Sequence, residues 1–212
     1  MLIILQIIII SNSLSTYSEF KKYISAYLKD KLAHDLFYHG YHHTLSVMSN
    51  VLEIAKAEKI GRKDILLLKI AVWLHDVGFT KTYSGHEDEG KLMARKILPN
   101  YNLSEEEIDI ICGMIEATKI PQKPTTILEQ ILADADLLYL GTNDFKDIGE
   151  TLYQEMKIYV GLKDRATWNQ IQKKFLETHS FHTNYCIKKY EPKKRKNLKT
   201  VVKEIEKIKP KL

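Results

Sequence analysis

The residues of this sequence that could carry out chemistry are histidines and aspartates set among apolar neighbours. They fall in three stretches, YHGYHHTLSV from residue 38, AVWLHDVGF from residue 71 and LADADLLYLG from residue 132. The side chains concerned are His39, His42, His43, His75, Asp76, Asp134 and Asp136. Carboxylates in apolar surroundings cost free energy unless a hydrogen-bond donor or a cation compensates them. A single buried His-Asp pair is usually hydrogen-bonded within a core, but the three stretches together favour a metal site.

Helical spacing turns the key imidazoles inward. His43 lies on one helical stripe with the apolar residues four and eight positions later, and His75 lies on one with those three, four and seven positions before it. Two imidazoles and one or two carboxylates from separate helices would form a mixed nitrogen and oxygen donor set. Such a set suits Mn, Fe, Ni, Co or Zn, with Mg as a further option, and leaves positions open for water and substrate. Periodicity alone leaves the choice between Asp134 and Asp136 open.

The elements that must position these residues are predicted to be helices, because period-two alternation is scarce after residue 11. The helix start signals are Thr16 with Glu19, Asp64, Ser84 with Glu87, Ser104 with Glu107, and Thr126 with Glu129. The predicted helices begin at about residue 16 and continue over 41–60, 64–78, 84–98, from 104, 126–141, 144–160, 166–179 and 197–208. The sequence therefore predicts an all-α fold.

The two ends of the chain differ in composition from its body. The first ten residues, MLIILQIIII, are fewer than the about 20 that a membrane-spanning helix needs, and they lack a basic n-region. We expect a buried strand, the start of a helix or a start codon assigned too early there, rather than a membrane or export signal. From Lys188 onwards lie 11 of the 32 basic residues and 3 of the 27 acidic ones. We expect this tail to be a solvated amphipathic helix rather than a nucleic-acid or membrane contact.

The order of the chemical motifs resembles the HD superfamily of metal-dependent phosphohydrolases. In that pattern a histidine near the start of one helix is followed by the His-Asp doublet and then by an aspartate in a helix far downstream. Further matching stretches are LHDVGF, HEDEG, TKIPQKP and DADLLYLGTNDF, so the resemblance covers residues 38–145. It implies an HD-domain helical bundle with additional C-terminal helices. We expect the domain to span residues 16–185, between an N-terminal segment of uncertain role (1–15) and a basic helical tail (186–212).

The resemblance also implies roles for individual residues. The implied metal ligands are His43, His75, Asp76 and Asp136, the last because the family ligand follows an alanine and is followed closely by leucine. The implied residues near the scissile phosphate are His86 and Glu87, and Lys81 is a candidate for binding phosphate oxygens. Asp134, if it is not a ligand, is expected to orient a metal-bound histidine or the water. Glu87 has an alternative role as the capping partner of Ser84. Lys91, Thr118 and Lys119 are further phosphate-binding candidates, whereas His179 and His182 are expected to be surface or packing residues.

The function implied is hydrolysis of a phosphate ester of a nucleotide or similar small molecule by a metal-activated water. A dinuclear centre would need more histidines between the doublet and the last aspartate, and only His86 lies there. We therefore expect one tightly held ion, and a second ion could be held only through His86 or Glu87. The alternatives are a non-catalytic metal- or nucleotide-binding regulatory module and, less favoured, an iron-dependent oxygenase. The two cysteines are too few for a disulfide scaffold, which favours a reducing cytoplasm. The oligomeric state and the exact substrate do not follow from the sequence.

Overall fold

The chain folds into helices joined by short connections. The computed structural model describes the backbone of residues 2–208 and the side chains of residues 16–207. Within that part of the chain there is no strand, and three short 3-10 helices cover Val77–Thr80, Leu98–Tyr101 and Leu138–Gly141. The α-helices are α1 (Leu2–Lys31), α2 (Tyr41–Ala57), α3 (Arg62–Leu74), α4 (His86–Ile97), α5 (Glu105–Thr118), α6 (Ile127–Asp136), α7 (Phe145–Tyr159), α8 (Arg165–Thr178), α9 (Asn184–Lys189) and α10 (Glu191–Ile208). The all-α prediction is confirmed.

Two of the predicted capping boxes form and fix where α5 and α6 begin. The Ser104 hydroxyl accepts a hydrogen bond from the backbone N–H of Glu107 at 3.2 Å, and the Glu107 carboxylate accepts one from the Ser104 N–H at 3.1 Å. Thr126 and Glu129 form the same pair at the start of α6. These bonds satisfy backbone donors that the first helical turn leaves unpaired. The start of α6 matters for the site because Asp136 is its last residue.

Other start signals were wrong. Thr16 lies inside α1, whose backbone is already helical from Leu2. α3 begins after Gly61, so Asp64 lies in its first turn, where a carboxylate still interacts favourably with the helix dipole. The Ser84 and Glu87 box does not form, because Gly85 adopts a left-handed conformation with φ 74° directly before α4.

α3 is the central helix of the fold. It packs against α1, α2, α4, α5 and α6, and its residues from Leu67 to Leu74 are all buried except Lys69. A second apolar cluster lies between α7, α8 and α10, with Leu140, Phe145 and Leu176 in it. α9 was not predicted, and α10 begins six residues before the predicted start at 197. The two clusters meet just after the end of α6, where Leu137 belongs to the second cluster and Leu138 to the first.

The structure describes the two ends of the chain only in part. Residues 2–15 continue α1 as helix, but the predicted segment 1–15 has side chains outside the described residues. The basic tail forms the end of α9 and all of α10, which packs on α8, and residues 209–212 lie outside the described part. None of the described helices combines the length and the apolar character that crossing a bilayer requires.

Candidate metal centre

The His-Asp doublet lies at the end of α3. We predicted that the helix would continue to about Gly78, but it ends one residue before His75. The His75 N–H still donates to the Ala71 carbonyl at 2.8 Å, whereas Asp76 leaves the helix with φ −106° and ψ 6°. Nδ1 of His75 lies 2.8 Å from the Val72 carbonyl oxygen, so this nitrogen donates its proton to the backbone and Nε2 faces the site. The turn lets both side chains reach the same point.

Four side chains from three helix regions converge there. Nε2 of His43, in the first turn of α2, lies 2.9 Å from Oδ1 of Asp136 and 3.4 Å from Oδ2 of Asp76. Nε2 of His75 lies 3.2 Å from Oδ2 of Asp76 and 3.6 Å from Oδ1 of Asp136. The two imidazole Nε2 atoms are 3.4 Å apart. The structure thus brings together all four residues that the family resemblance implied as ligands.

The donor set fits a divalent transition-metal ion. Ligand bonds of about 2.1 Å at right angles place neighbouring ligand atoms about 3 Å apart, which is close to the spacing of these four atoms. Oδ2 of Asp76 is also buried without a hydrogen-bond partner among the described residues. An unpaired buried carboxylate oxygen is costly, and a cation held by these atoms would remove that cost.

The charges of the cluster depend on one another. Burial alone would raise the pKa of Asp136, but hydrogen bonds and the charge of His43 and His75 lower it to about 2. Burial likewise opposes ionisation of Asp76, yet the same imidazoles hold its pKa below the ordinary value. For His75, burial works against protonation, and the two carboxylates nevertheless raise its pKa. Both carboxylates are therefore ionised at neutral pH and ready to bind a cation.

Asp134 does not belong to this cluster. Its Oδ1 accepts a hydrogen bond from the His182 N–H at 2.8 Å, and its Oδ2 accepts from the Thr183 N–H at 2.8 Å and the Thr183 hydroxyl at 2.7 Å. The side chain is fully buried, and burial raises its pKa although these donors act to lower it. Our expectation that Asp134 orients a ligand or the water is wrong, because its carboxylate anchors the segment before α9.

His86 and Glu87 lie beside the cluster, at the start of α4. Nε2 of His86 is 3.7 Å from Oδ1 of Asp76 and 3.4 Å from Oε1 of Glu87. Gly78 makes this approach possible, since a Cβ there would lie 1.9 Å from the His86 carbonyl oxygen. The His86 ring stacks on Phe79 at 3.8 Å between centroids. Because the Ser84 box does not form, the buried Glu87 carboxylate is not used for capping.

The lysines predicted to bind phosphate either lie outside the cavity or are already paired with acidic side chains. Lys81 is exposed and lies outside the wall of the cavity beside the cluster, so that expectation is wrong. Lys91 forms ion pairs with Asp88 and Glu116 between α4 and α5. Lys119 does line the cavity, with its Nζ 3.2 Å from Asp88, and Thr118 lines it nearby.

Glu155 is a further buried acid, and it was not identified from the sequence. Glu155 on α7 is fully buried and accepts hydrogen bonds from the Tyr38 N–H at 2.8 Å, the His39 N–H at 3.0 Å and the Tyr83 hydroxyl at 3.1 Å. Its Oε1 also contacts Nδ1 of His39 at 2.5 Å. Burial lowers the pKa of His39, but the hydrogen bond to Glu155 together with the charges of Asp76, Glu155 and Asp136 outweighs burial and raises it. A glutamate on the buried face of the amphipathic helix α7 is the feature from which this residue could have been predicted.

The cluster opens into a cavity of about 590 Å³. Asp76, Asp136, His39 and His86 line it beside the cluster, and residues of α7 and α8 complete its wall. A second cavity of about 370 Å³ reaches His43 and Asp136 from another side and contains Asp144 and Asp147. Small-molecule sites typically have volumes of about 300–1,000 Å³, so the larger cavity can hold a substrate against the carboxylates of Asp76 and Asp136.

Comparisons with known proteins agree with this geometry. Residues 40–140 match the family model described as the HD domain. A crystal structure of a predicted HD superfamily hydrolase from an uncultured Thermotogales bacterium superposes with a TM-score of 0.58, covering 88% of this chain and 91% of that chain at 21% identity. At this identity the likeness shows the shared fold. A search of curated proteins gave no match.

Proposed function

Residues 40–140 of this chain form an HD domain, and on that premise we propose that the protein is a metal-dependent phosphohydrolase acting on a phosphate ester of a nucleotide or similar small molecule. The HD domain and the His/Asp cluster support a hydrolase of the metal-dependent kind. One observation carries the finer proposal. The Nε2 atoms of His43 and His75 each lie 2.9–3.6 Å from carboxylate oxygens of Asp76 and Asp136, and these two carboxylates line a cavity of substrate size.

The ion would be held by His43, His75, Asp76 and Asp136, with manganese, iron, nickel, cobalt and zinc all compatible with the donors and magnesium less so. When bound, it supplies an acidified water and polarisation of a phosphoryl oxygen. Four protein ligands leave room for water and substrate in a five- or six-coordinate sphere.

The chain's own residues handle protons and orientation. Nε2 of His86 lies 3.7 Å from Asp76 and 3.4 Å from Glu87 in the wall of the cavity, where the imidazole can act as the general acid that donates a proton to the leaving oxygen. Glu87 orients this ring, and the stacked Phe79 fixes its plane. His39 lines the same cavity with its Nδ1 held by Glu155, which makes it a fixed donor for a phosphate oxygen.

We place this enzyme in the cytoplasm with a small phosphorylated molecule as its substrate. The two cysteines, Cys112 and Cys186, are both buried and unpaired, which fits a reducing compartment.

The test is metal analysis and a phosphatase assay on the same samples. Protein stripped with a chelator is reloaded with manganese or nickel and assayed on a panel of phosphate esters. Wild type is expected to bind close to one ion and to release phosphate, whereas Asp76→Ala is expected to lose both. Unchanged turnover in Asp76→Ala would refute the proposal, and metal binding without turnover on any ester would favour the regulatory module instead.

A further inference from the structure

The wall of the large cavity has two chemically different parts. Polar and ionisable side chains surround the candidate metal centre. The remaining wall, contributed mainly by the 3-10 helix at 138–141 and by α7 and α8, is apolar, and its principal residues are Leu140, Phe145, Met156, Trp168, Ile171 and Phe175. We call this part the apolar compartment. Its hydrogen-bonding side chains are few, the Gln172 amide and the Trp168 indole N–H being examples.

The charge of the cavity limits how much phosphate it can hold. Among the described residues that line it, the only lysine or arginine is Lys119, whose Nζ is already 3.2 Å from Asp88. Asp76 and Asp136 together balance a divalent ion. The start of α4 also reaches the cavity, but its first turn carries Glu87, Asp88 and Glu89, which offset the positive end of the helix dipole. The imidazoles of His39 and His86 each already lie beside a glutamate. Sites for di- and triphosphates typically provide several lysines, arginines or helix N-termini. This cavity therefore suits a single phosphoryl group.

A buried nucleobase needs several hydrogen-bond partners, and the apolar compartment offers few. A base presents several donors and acceptors, which remain unpaired and costly when buried against apolar side chains. An alkyl or simple aryl group has no such cost, and each methylene it buries contributes about 0.8 kcal/mol, or about fourfold in affinity.

Resting on the metal-dependent phosphohydrolase of the proposed function, but in place of a nucleotide substrate, we propose that the substrate is a phosphate monoester of an apolar alcohol. Its alkyl or aryl group lies in the apolar compartment and its single phosphoryl group at the metal centre. In the reaction, water adds to phosphorus, the P–O bond to the alcohol breaks, and the leaving oxygen takes a proton. The products are the free alcohol and inorganic phosphate.

The first test is a homologous series of n-alkyl phosphates, methyl, butyl and hexyl, assayed with the manganese-loaded protein. We expect kcat/KM to rise by about threefold to fourfold per methylene until the compartment is filled. Nucleoside monophosphates and glycerol phosphate are expected to be hydrolysed at least tenfold less efficiently than hexyl phosphate. A flat series, or a preference for the nucleotides, overturns the inference while leaving the phosphohydrolase proposal intact.

Binding is measured separately from turnover with n-alkyl phosphonates, which are not hydrolysed. Their effect on tryptophan fluorescence is recorded for wild type and for Trp168→Phe, since Trp168 lines the compartment and Trp73 lies in the core. We expect affinity to rise with chain length and the fluorescence change to be lost in Trp168→Phe. Chain-length-dependent binding with no ester turnover would leave the compartment in place and refute the phosphohydrolase.

A matched pair of variants locates the effect in the compartment. Ile171→Asp places a carboxylate in the apolar wall, at a side chain that is 38% exposed and so tolerates the change. Ile158→Asp, at a residue on α7 that is 53% exposed and outside that wall, is the control. Ile171→Asp is expected to raise KM for hexyl phosphate by roughly tenfold or more and to affect methyl phosphate far less, whereas Ile158→Asp is expected to match wild type on both esters. Equal effects of the two variants overturn the inference.

Discussion

Asp134 and Asp136 are two positions apart, but Asp134 anchors the segment before α9 whereas Asp136 lies in the candidate metal centre. Substituting each with asparagine therefore tests the candidate metal centre. Metal added to stripped wild type at 100 times its Kd stabilises the folded state by about 2.7 kcal/mol. In a domain of this size, 1 kcal/mol shifts Tm by about 2–4 °C, so the expected rise in Tm is about 5–11 °C.

Asp136→Asn removes the charge that lies 2.9 Å from Nε2 of His43. Loss of an outer-sphere partner already weakens metal affinity by about 10–100-fold, so loss of a charged ligand is expected to weaken it by more than about 100-fold. At the same metal concentration the site is then at most half occupied. The residual stabilisation is below about 0.4 kcal/mol, and Tm is expected to rise by less than about 2 °C.

Asp134→Asn gives the opposite pattern. An amide in place of one oxygen leaves a buried donor of the His182 or Thr183 backbone unpaired, which costs about 1–3 kcal/mol without any metal. The baseline Tm is expected to fall by several degrees, while the rise on adding metal stays at about 5–11 °C. Thermal unfolding with and without metal, together with metal analysis, measures both quantities. A full metal response in Asp136→Asn, or its loss in Asp134→Asn alone, would refute the assignment.

Three further predictions concern the surroundings of the cluster. His86→Ala is expected to keep the metal but lower kcat by about 10²–10⁴-fold, and metal loss on elemental analysis would make His86 a ligand. The pKa of Glu155 is lowered, so its contribution to folding stability is fully present above pH 4.5 and is lost at lower pH. The pKa of His39 is raised, so its contribution is fully present below pH 6.5 and is lost as the pH rises above that value. The gap in Tm between metal-free wild type and Glu155→Gln is therefore expected to be largest between these values and to shrink towards pH 9; a constant gap would contradict the pairing. Thr126→Ala removes the cap of α6 and is expected to cost about 1 kcal/mol in urea unfolding without altering metal stoichiometry, and a lost ion would show that the cap also positions Asp136.

Helix starts could be predicted from the sequence where the hydrogen bonds that fix them are local. Ser104 and Thr126 are followed three residues later by glutamate, a local pattern whose hydrogen bonds form within one turn, so those starts could be predicted. The same pattern at Ser84 failed because Gly85 takes a left-handed conformation that moves the helix start. Local patterns do not contain the tertiary packing that overrides them.

The difference between Asp134 and Asp136 shows the same limit at the site. Both lie in apolar surroundings, and periodicity could not separate them; only the family resemblance favoured Asp136. The partners of Asp134, His182 and Thr183, are more than 45 residues away along the chain. Glu155 was missed for a similar reason, because its donors at Tyr38 and His39 are brought to it by folding alone.

The placement of the doublet explains why the site favours a cation. α3 ends immediately before His75 and α6 ends at Asp136, so two helix C-termini with partial negative charge lie beside two ionised carboxylates. The N-termini of α2 and α4 also lie at the site, and their partial positive charge offsets that of the C-termini, so the two full carboxylate charges remain. Such a field repels a phosphate group unless a cation is bound. Since Lys119 is the only lysine or arginine among the described lining residues, the proposed mechanism needs the ion to bind the phosphoryl group as well as to activate water. Phosphonate binding by the stripped protein is therefore expected to be much weaker than binding by the loaded one, and equal affinities would mean that the phosphoryl group is held elsewhere.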